Sequence, residues 1–255
     1  FVFRQLASGR YLGVSGLVDA PAAAAGVAFY TSDGCAPFPE LSVDATGSIT
    51  RTQFDDGTLY GIVDAHEHLF TNLAFGGGGV FHGAPFHPLG VEQALSSCEQ
   101  YHGAEGRKDV VGYFMGGAAL DVATAAPILV SGNTGTFNHH TDGYPTFTDW
   151  PGDAHHATHQ ALYYKWIERA WMGGLRLLVQ HATGNEVLCK IAQGMHSQTP
   201  RFTCNEMVGT DRIIDATYAL ERYIDAHAGG PGRGWFRVVT TPAEAREGIG
   251  QGKLA

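Results

Sequence analysis

From Leu59 onward, short apolar segments alternate with longer amphipathic segments, and this alternation limits the folds open to the chain more than any other feature. The run Leu175–Val179 predicts a buried strand, and the 3.6-residue apolar period within 206–227 predicts a helix that stops before Gly229. Strands that alternate with helices imply parallel βαβ units. Such units close either as a doubly wound sheet or as a (β/α)8 barrel, and the missing G-x-G-x-x-G fingerprint disfavours a dinucleotide-binding sheet.

Further segments carry similar signals. We expect strands at 59–64, 109–115 and 235–239, and helices at 91–101, 153–171 and 242–250. About four βα units fit into this length, whereas a complete barrel takes ~250 residues. The prediction is therefore an α/β fold. It holds the first part of a (β/α) barrel at 59–255, preceded by a small β-rich segment at 1–58. The alternative is a compact open α/β domain.

Composition and charge exclude several classes of protein. The formal net charge of −9 provides no basic surface for phosphates, so nucleic acid is not an expected partner. No apolar run approaches the ~20 residues that span a bilayer, so no membrane span is expected. The 44% hydrophobic content is too high for a disordered chain. A folded enzyme that acts on a small-molecule substrate fits these properties.

The four cysteines, Cys35, Cys98, Cys189 and Cys204, are widely spaced and form no CxxC pair. A zinc ribbon is therefore not expected, and the even number allows two disulfides of undetermined pairing, or four buried thiols. The chain begins at Phe1 rather than Met, which we interpret as processing or as part of a longer protein. Processing and disulfides together predict a secreted or periplasmic location.

The strongest functional signal is the pair His66 and His68 at the end of an apolar strand. Residues two apart on a strand point to the same face, and at the carboxyl end of a barrel strand that face looks into the active site. Two imidazoles there can bind a divalent transition metal. Zn2+ suits them best, as one or two ions. The alternative is that one of them is an ordinary hydrogen-bonding residue without metal.

A histidine-rich loop follows the second predicted strand. Its candidate acid/base and substrate-binding residues are His139, His140, Asp142 and Tyr144. His155 and His159 are four apart, which is metal-capable spacing on a helix, but HExxH is absent and a position at the helix start is the simpler interpretation.

A third group follows the strand at Leu175–Val179. His181 is a candidate ligand or general base, Glu186 a candidate catalytic carboxylate, and Asn185 a candidate substrate contact. Helix capping by Asn185, with Glu186 favouring the helix dipole, is an equally good interpretation. Asn72 and the glycines at 76–79 are expected to form a flexible mouth beside the metal strand, with Asn72 contacting substrate.

The motif Asp64-x-His66-x-His68 resembles the metal-dependent hydrolases of the amidohydrolase superfamily, most closely the branch that contains the renal-type membrane dipeptidases. In that branch the first strand ends in Asp-x-His-x-Asp, so the second ligand here is His. Residues 241–246 and 252–255 resemble the helix before the strand that bears the metal-bridging Glu. The chain is also similar to secreted bacterial proteins that carry such a domain beside discoidin-type modules.

This resemblance implies a hydrolase that cleaves an amide or ester bond by metal-activated water. The bridging carboxylate is expected on a later strand, and a second polypeptide is the expected source of the missing strands. Two alternatives remain open: a lyase or isomerase on the same scaffold, and a non-catalytic carbohydrate-binding or assembly module. A serine hydrolase is disfavoured because no G-x-S-x-G motif is present.

Overall fold

The computed structural model describes residues 1–5, 8–28, 40–116, 122–131, 138–148, 157–196 and 198–255. The chain divides into two compact units, Phe1–Pro37 and Phe38–Ala255. The predicted boundary at 58/59 falls within the second of these units. The first unit contains an antiparallel hairpin of β1 (Tyr11–Gly13) and β2 (Gly16–Val18).

The described part of the second unit contains two longer strands and a series of helices. The strands are β3 (Ile62–Glu67) and β4 (Leu175–Gln180). The helices are α1 (Val91–Ala94), α2 (Glu99–His102), α3 (Val110–Met115), α4 (Val122–Ser131), α5 (Tyr164–Met172), α6 (Glu186–Gly194), α7 (Glu206–His227) and α8 (Pro242–Gly250). Short 3-10 turns follow β3 and α2.

Strands β3 and β4 are parallel. Hydrogen bonds join β4 to Ala255, and a parallel bridge joins Leu254 to Phe236. The order across these segments is therefore β3, β4, 254–255 and 235–237, which differs from their order along the chain. Parallel pairing agrees with the βαβ units that the sequence predicts, and the barrel itself stays a prediction.

Helices α7 and α8 have the bounds that the sequence predicts. The apolar face of α7 is buried in the core, through Ile213, Thr217, Leu220 and Ile224. Helix α8 begins with a capping box between Thr241 and Glu244, and its first residue is a proline.

The prediction for the main helix is wrong at its start. Helix α5 begins at Tyr164, and residues 157–163 are not helical, while 149–156 lie outside the described residues. The backbone on either side of His159 pairs with His82: the N–H of His82 donates to Thr158 O and that of Gln160 donates to His82 O. This pairing across the fold prevents a helix here, so His159 lies on an extended segment.

Three other predicted elements differ. Residues 235–239 were predicted as a strand but form only an isolated parallel bridge, between Phe236 and Leu254. Residues 109–115 were predicted as a strand but form helix α3, whose N-cap Asp109 accepts a hydrogen bond from the N–H of Gly112. A short apolar run cannot be assigned by periodicity alone, and here the cap selects the helix. The single helix predicted at 91–101 is broken into α1 and α2.

Strand β3 begins three residues later than its predicted start at Leu59 and extends to Glu67. His66 therefore lies within the strand, and His68 immediately follows it. Since β4 ends at Gln180, His181 immediately follows the neighbouring strand. The carboxyl ends of parallel strands meet at one edge of a sheet, which places the three histidines together.

Candidate active site and metal centre

Three histidines meet at the carboxyl ends of β3 and β4. The Nε2 atoms of His66 and His68 are 3.0 Å apart. The ring of His181 stacks on that of His66, with centroids 4.2 Å apart and planes inclined by 16°. His66 is exposed and the other two are half-buried, so the group is open to solvent on one side. The sequence predicted each of these residues as part of a site, and the fold brings all three into contact.

The hydrogen bonds of this histidine group set which ring nitrogens carry protons. Nδ1 of His68 lies 2.9 Å from the carbonyl oxygen of His181, and Nδ1 of His181 lies 3.1 Å from the carbonyl oxygen of Val179. A carbonyl only accepts, so each Nδ1 is the donor. In neutral rings the Nε2 atoms of His68 and His181 therefore carry lone pairs, and without a metal the Nε2 of His68 accepts a hydrogen bond of 3.0 Å from Nε2 of His66.

The glycine-rich segment beside β3 is packed rather than open. All four glycines at 76–79 are buried. A Cβ on Gly79, whose φ is +86°, would lie 2.4 Å from the ring of Tyr101. These glycines therefore serve close packing, which differs from the flexible mouth that the sequence predicted. Neighbouring Asn72 has a buried Oδ1 without a hydrogen-bond partner in the described part of the chain.

The predicted site residues of the histidine-rich loop lie in different environments. His140 and Asp142 are exposed and line a cavity of about 600 Å³. Asp142 accepts a hydrogen bond of 3.1 Å from Thr148. Tyr144 instead packs against the hydrophobic core. His139 is buried and lies in a second cluster described below.

Asn185 and Glu186 take the positions of helix-capping residues. Oδ1 of Asn185 accepts a hydrogen bond of 2.8 Å from the N–H of Leu188 at the start of α6. The carboxylate of Glu186 pairs with Lys190 one turn later. The capping interpretation that the sequence left open accounts for both side chains.

A buried cluster of four potential metal ligands was not predicted as a unit. One ligand atom from each of four side chains lies within 4.8 Å of the others, and the cluster could hold a metal ion. Its members, which together we call the Cys98 cluster, are Cys98, His102, His139 and His159. The sequence predicted His139 as an acid/base or substrate-binding residue, offered His159 as a metal ligand only together with His155, treated Cys98 as a disulfide partner or buried thiol, and gave no signal that was used for His102. The spacing of Cys98 and His102 was the available signal, since residues four apart on a helix share a face.

The Cys98 cluster is buried away from solvent, and this burial shifts the pKa values of its neighbourhood. Burial raises the pKa of the Cys98 thiol to about 12, and the nearby carboxylate of Asp109 contributes. Burial likewise lowers the pKa of His82, which packs beside the cluster, to about 4. Without a metal, the thiol is therefore protonated at neutral pH, and its burial makes it unsuitable as a nucleophile.

The described cysteines are of two kinds, disulfide-bonded and free. Cys189 and Cys204 form a disulfide that joins α6 to the segment before α7. Cys98 is a free, buried thiol in the cluster that bears its name. Cys35 lies outside the described residues. Among the described residues one disulfide is present, and because Cys98 is a free thiol, neither two disulfides within the chain nor four free thiols, the two alternatives that the sequence left open, is correct.

Comparison with known proteins finds no matching family model, no matching curated protein and no matching solved structure. Among the helices that the structure describes, none combines the length and apolar character needed to cross a membrane.

Proposed function

We propose that this chain carries part of the active site of a metal-dependent hydrolase that cleaves an amide or ester bond, with a dipeptide-like molecule as substrate. One observation carries the proposal: the Nε2 atoms of His66 and His68 lie 3.0 Å apart at the carboxyl end of β3, beside the end of the parallel strand β4. Active sites of (β/α) folds lie at this end of the strands.

His66 and His68 would hold the metal. Two imidazoles on one ion, with bonds of about 2.0–2.1 Å, have nitrogens no more than about 4.2 Å apart, and this pair meets that limit. Nδ1 of His68 donates to a main-chain carbonyl, which orients its Nε2 toward His66. When bound, Zn2+ or another divalent transition metal lowers the pKa of a water from ~15.7 toward ~7.

His181 is the proposed proton acceptor. Its ring is held over His66 by stacking and by the hydrogen bond from Nδ1 to Val179. Nε2 is therefore the atom that can take a proton from the attacking water and return it to the leaving group. His140 and Asp142 on the exposed cavity, and Asn72 with its unsatisfied Oδ1, are the proposed substrate contacts.

A second polypeptide is proposed to add strands beside β3. Residues Ile62 and Val63 on this strand are 60% and 57% exposed, which is unusual for the apolar residues of a parallel strand. Size-exclusion chromatography with mass spectrometry tests this proposal. A larger complex is expected, and a folded monomer with nothing attached would contradict it.

Export from the cytoplasm is also proposed. The disulfide Cys189–Cys204 supports it, because structural disulfides persist in oxidising compartments. Fractionation of the producing cells would place the protein in the periplasm or medium if the proposal is correct, and in the cytosol if it is not.

The hydrolase is tested by metal analysis and by turnover of a panel of dipeptides, amides and esters. We expect stoichiometric metal at this site and hydrolysis products. His66→Ala and His68→Ala should each reduce kcat/KM by more than the 10–100-fold that loss of an outer-shell partner costs. Products isomeric with the substrate, or formed without uptake of water, would point to the isomerase or lyase alternative. Turnover unchanged in both variants would refute the proposed site.

A further inference from the structure

The Cys98 cluster shares no residue with the proposed hydrolase site, so the role of the cluster needs a separate explanation. We propose that Cys98, His102, His139 and His159 bind a single zinc-type ion in a closed, four-ligand site. The ion would fasten together three segments of the chain that are distant in sequence.

Two of the ligand-atom distances within the cluster match a tetrahedral ion, and all four ligand atoms lie within 4.8 Å of one another. Sγ of Cys98 and Nδ1 of His102 each lie 3.4 Å from Nε2 of His139. The ring of His159 is centred 4.9 Å from that of His139 and 5.0 Å from that of His102. Tetrahedral zinc, with bonds of about 2.3 Å to sulfur and 2.0–2.1 Å to nitrogen, holds its ligand atoms about 3.3–3.6 Å apart.

The outer contacts of His102 orient it as a ligand. Its Nε2 lies 2.8 Å from the carbonyl oxygen of Gly79, which can only accept, so the proton of the neutral ring is on Nε2. The lone pair of Nδ1 then points to His139 and the centre of the cluster. Metal-binding histidines characteristically donate their second nitrogen to a carbonyl or carboxylate in this way.

A fixed carboxylate adds favourable charge beside the cluster. Oδ2 of Asp109 lies 3.7 Å from Nδ1 of His102 and 3.8 Å from Nδ1 of His139. Asp109 is held in place because it accepts hydrogen bonds from the N–H of Gly112 and the hydroxyl of Thr158. This buried negative charge favours a bound cation.

The ligand set indicates a structural role. Four protein ligands leave no open coordination position, and the four side chains are at most 7% exposed. Cys98 is the N-cap of α2 and His102 its last residue, while His139 lies on the loop 138–148 and His159 on the extended segment that pairs with His82. An ion here would therefore cross-link α2, the loop and the segment before α5.

Cobalt spectroscopy tests this site independently of the hydrolase. The full chain carrying His66→Ala and His68→Ala, which removes the proposed active-site metal, is loaded with Co2+. We expect one bound ion, the intense visible bands of tetrahedral cobalt, and a thiolate-to-cobalt charge-transfer band in the near ultraviolet. Adding Cys98→Ser should abolish the charge-transfer band, while the control Cys35→Ser should retain it.

A spectrum without the thiolate band, or a band that survives Cys98→Ser, would overturn the proposal. If Cys98→Ser does not fold, X-ray absorption by the zinc-loaded His66→Ala/His68→Ala chain decides. One sulfur at about 2.3 Å with nitrogens at about 2.0–2.1 Å is the expected shell. A shell of nitrogen and oxygen alone would refute the site. Because the active-site histidines are absent, either result leaves the hydrolase proposal to its own test.

Discussion

His68 and His181, 113 residues apart in the chain, are joined by a hydrogen bond of 2.9 Å from Nδ1 of the first to the main-chain carbonyl oxygen of the second. A return bond runs from the N–H of His181 to the carbonyl oxygen of Glu67, at 2.8 Å. These two bonds hold the ends of β3 and β4 beside each other at the position of the histidines. Both bonds use main-chain atoms of His181, so its imidazole can be removed without releasing His68.

Replacing His181 therefore tests its proposed role as a proton acceptor. We expect His181→Ala to lower kcat by about 10²–10⁴-fold, the usual contribution of general acid–base catalysis, and to leave the metal content unchanged. Steady-state kinetics and elemental analysis measure both. His196→Asn, at an exposed histidine after α6, is the matched control and should keep full activity. Loss of metal in His181→Ala would make His181 a ligand instead.

Gly79→Ala should destabilise the protein. A Cβ there would overlap the Tyr101 ring at 2.4 Å, and the φ of +86° disfavours any side chain. We expect a loss of about 1–3 kcal/mol in the free energy of unfolding, measured by urea denaturation. Gly194→Ala is the control, because a Cβ at this helical glycine meets nothing within 4 Å. It should be neutral or stabilising by up to about 1 kcal/mol. Equal stabilities for the two variants would contradict the packing described for 76–79.

The disulfide Cys189–Cys204 should contribute substantially to stability. It closes a loop with a sequence separation of 15, for which loop entropy predicts about 3 kcal/mol. The double variant Cys189→Ala/Cys204→Ala should lose about that much in urea denaturation, and reduction of the natural chain should have a similar effect. Cys35→Ser is measured under the same conditions as the control. If it lost as much free energy of unfolding as the double variant, the loss in the double variant would not be due to the disulfide.

Asp225 should make stability depend on pH in the acid range. Burial alone would raise its pKa, but hydrogen bonds from Arg237, Gly232 and Gly234 together outweigh burial and lower it. Since the folded pKa lies below the unfolded value, the stabilisation is complete above the unfolded pKa of ~3.9 and is lost as pH falls through the folded pKa.

The variant Asp225→Asn tests this dependence. At pH 7 it should be less stable by about 1.5–3 kcal/mol, because it loses charge-assisted bonds to the arginine and the backbone. The difference from the natural chain should shrink as the pH falls below ~3.9. A difference that stays constant from pH 7 to pH 2 would show that the carboxylate charge is not involved.

The local sequence pattern was sufficient to predict those helices and strands whose apolar residues follow a clear pattern within the segment. Helices α7 and α8 and strand β4 lie where the sequence predicts them, because capping residues, glycine and proline stops and an unbroken apolar period act within one segment. The placement of His66, His68 and His181 at strand ends follows from the same local reasoning. Parallel strands then bring such ends together.

Contacts between distant segments decided the rest. Residues 158–160 pair with His82 instead of extending α5, and Asp109 starts a helix where an apolar run predicted a strand. The Cys98 cluster joins residues that are up to 61 positions apart, and no periodicity in the chain links Cys98 to His159. The chemistry of each side chain and the local apolar period can be read from the sequence. Whether these four side chains come together depends instead on how the loops pack once the core has formed.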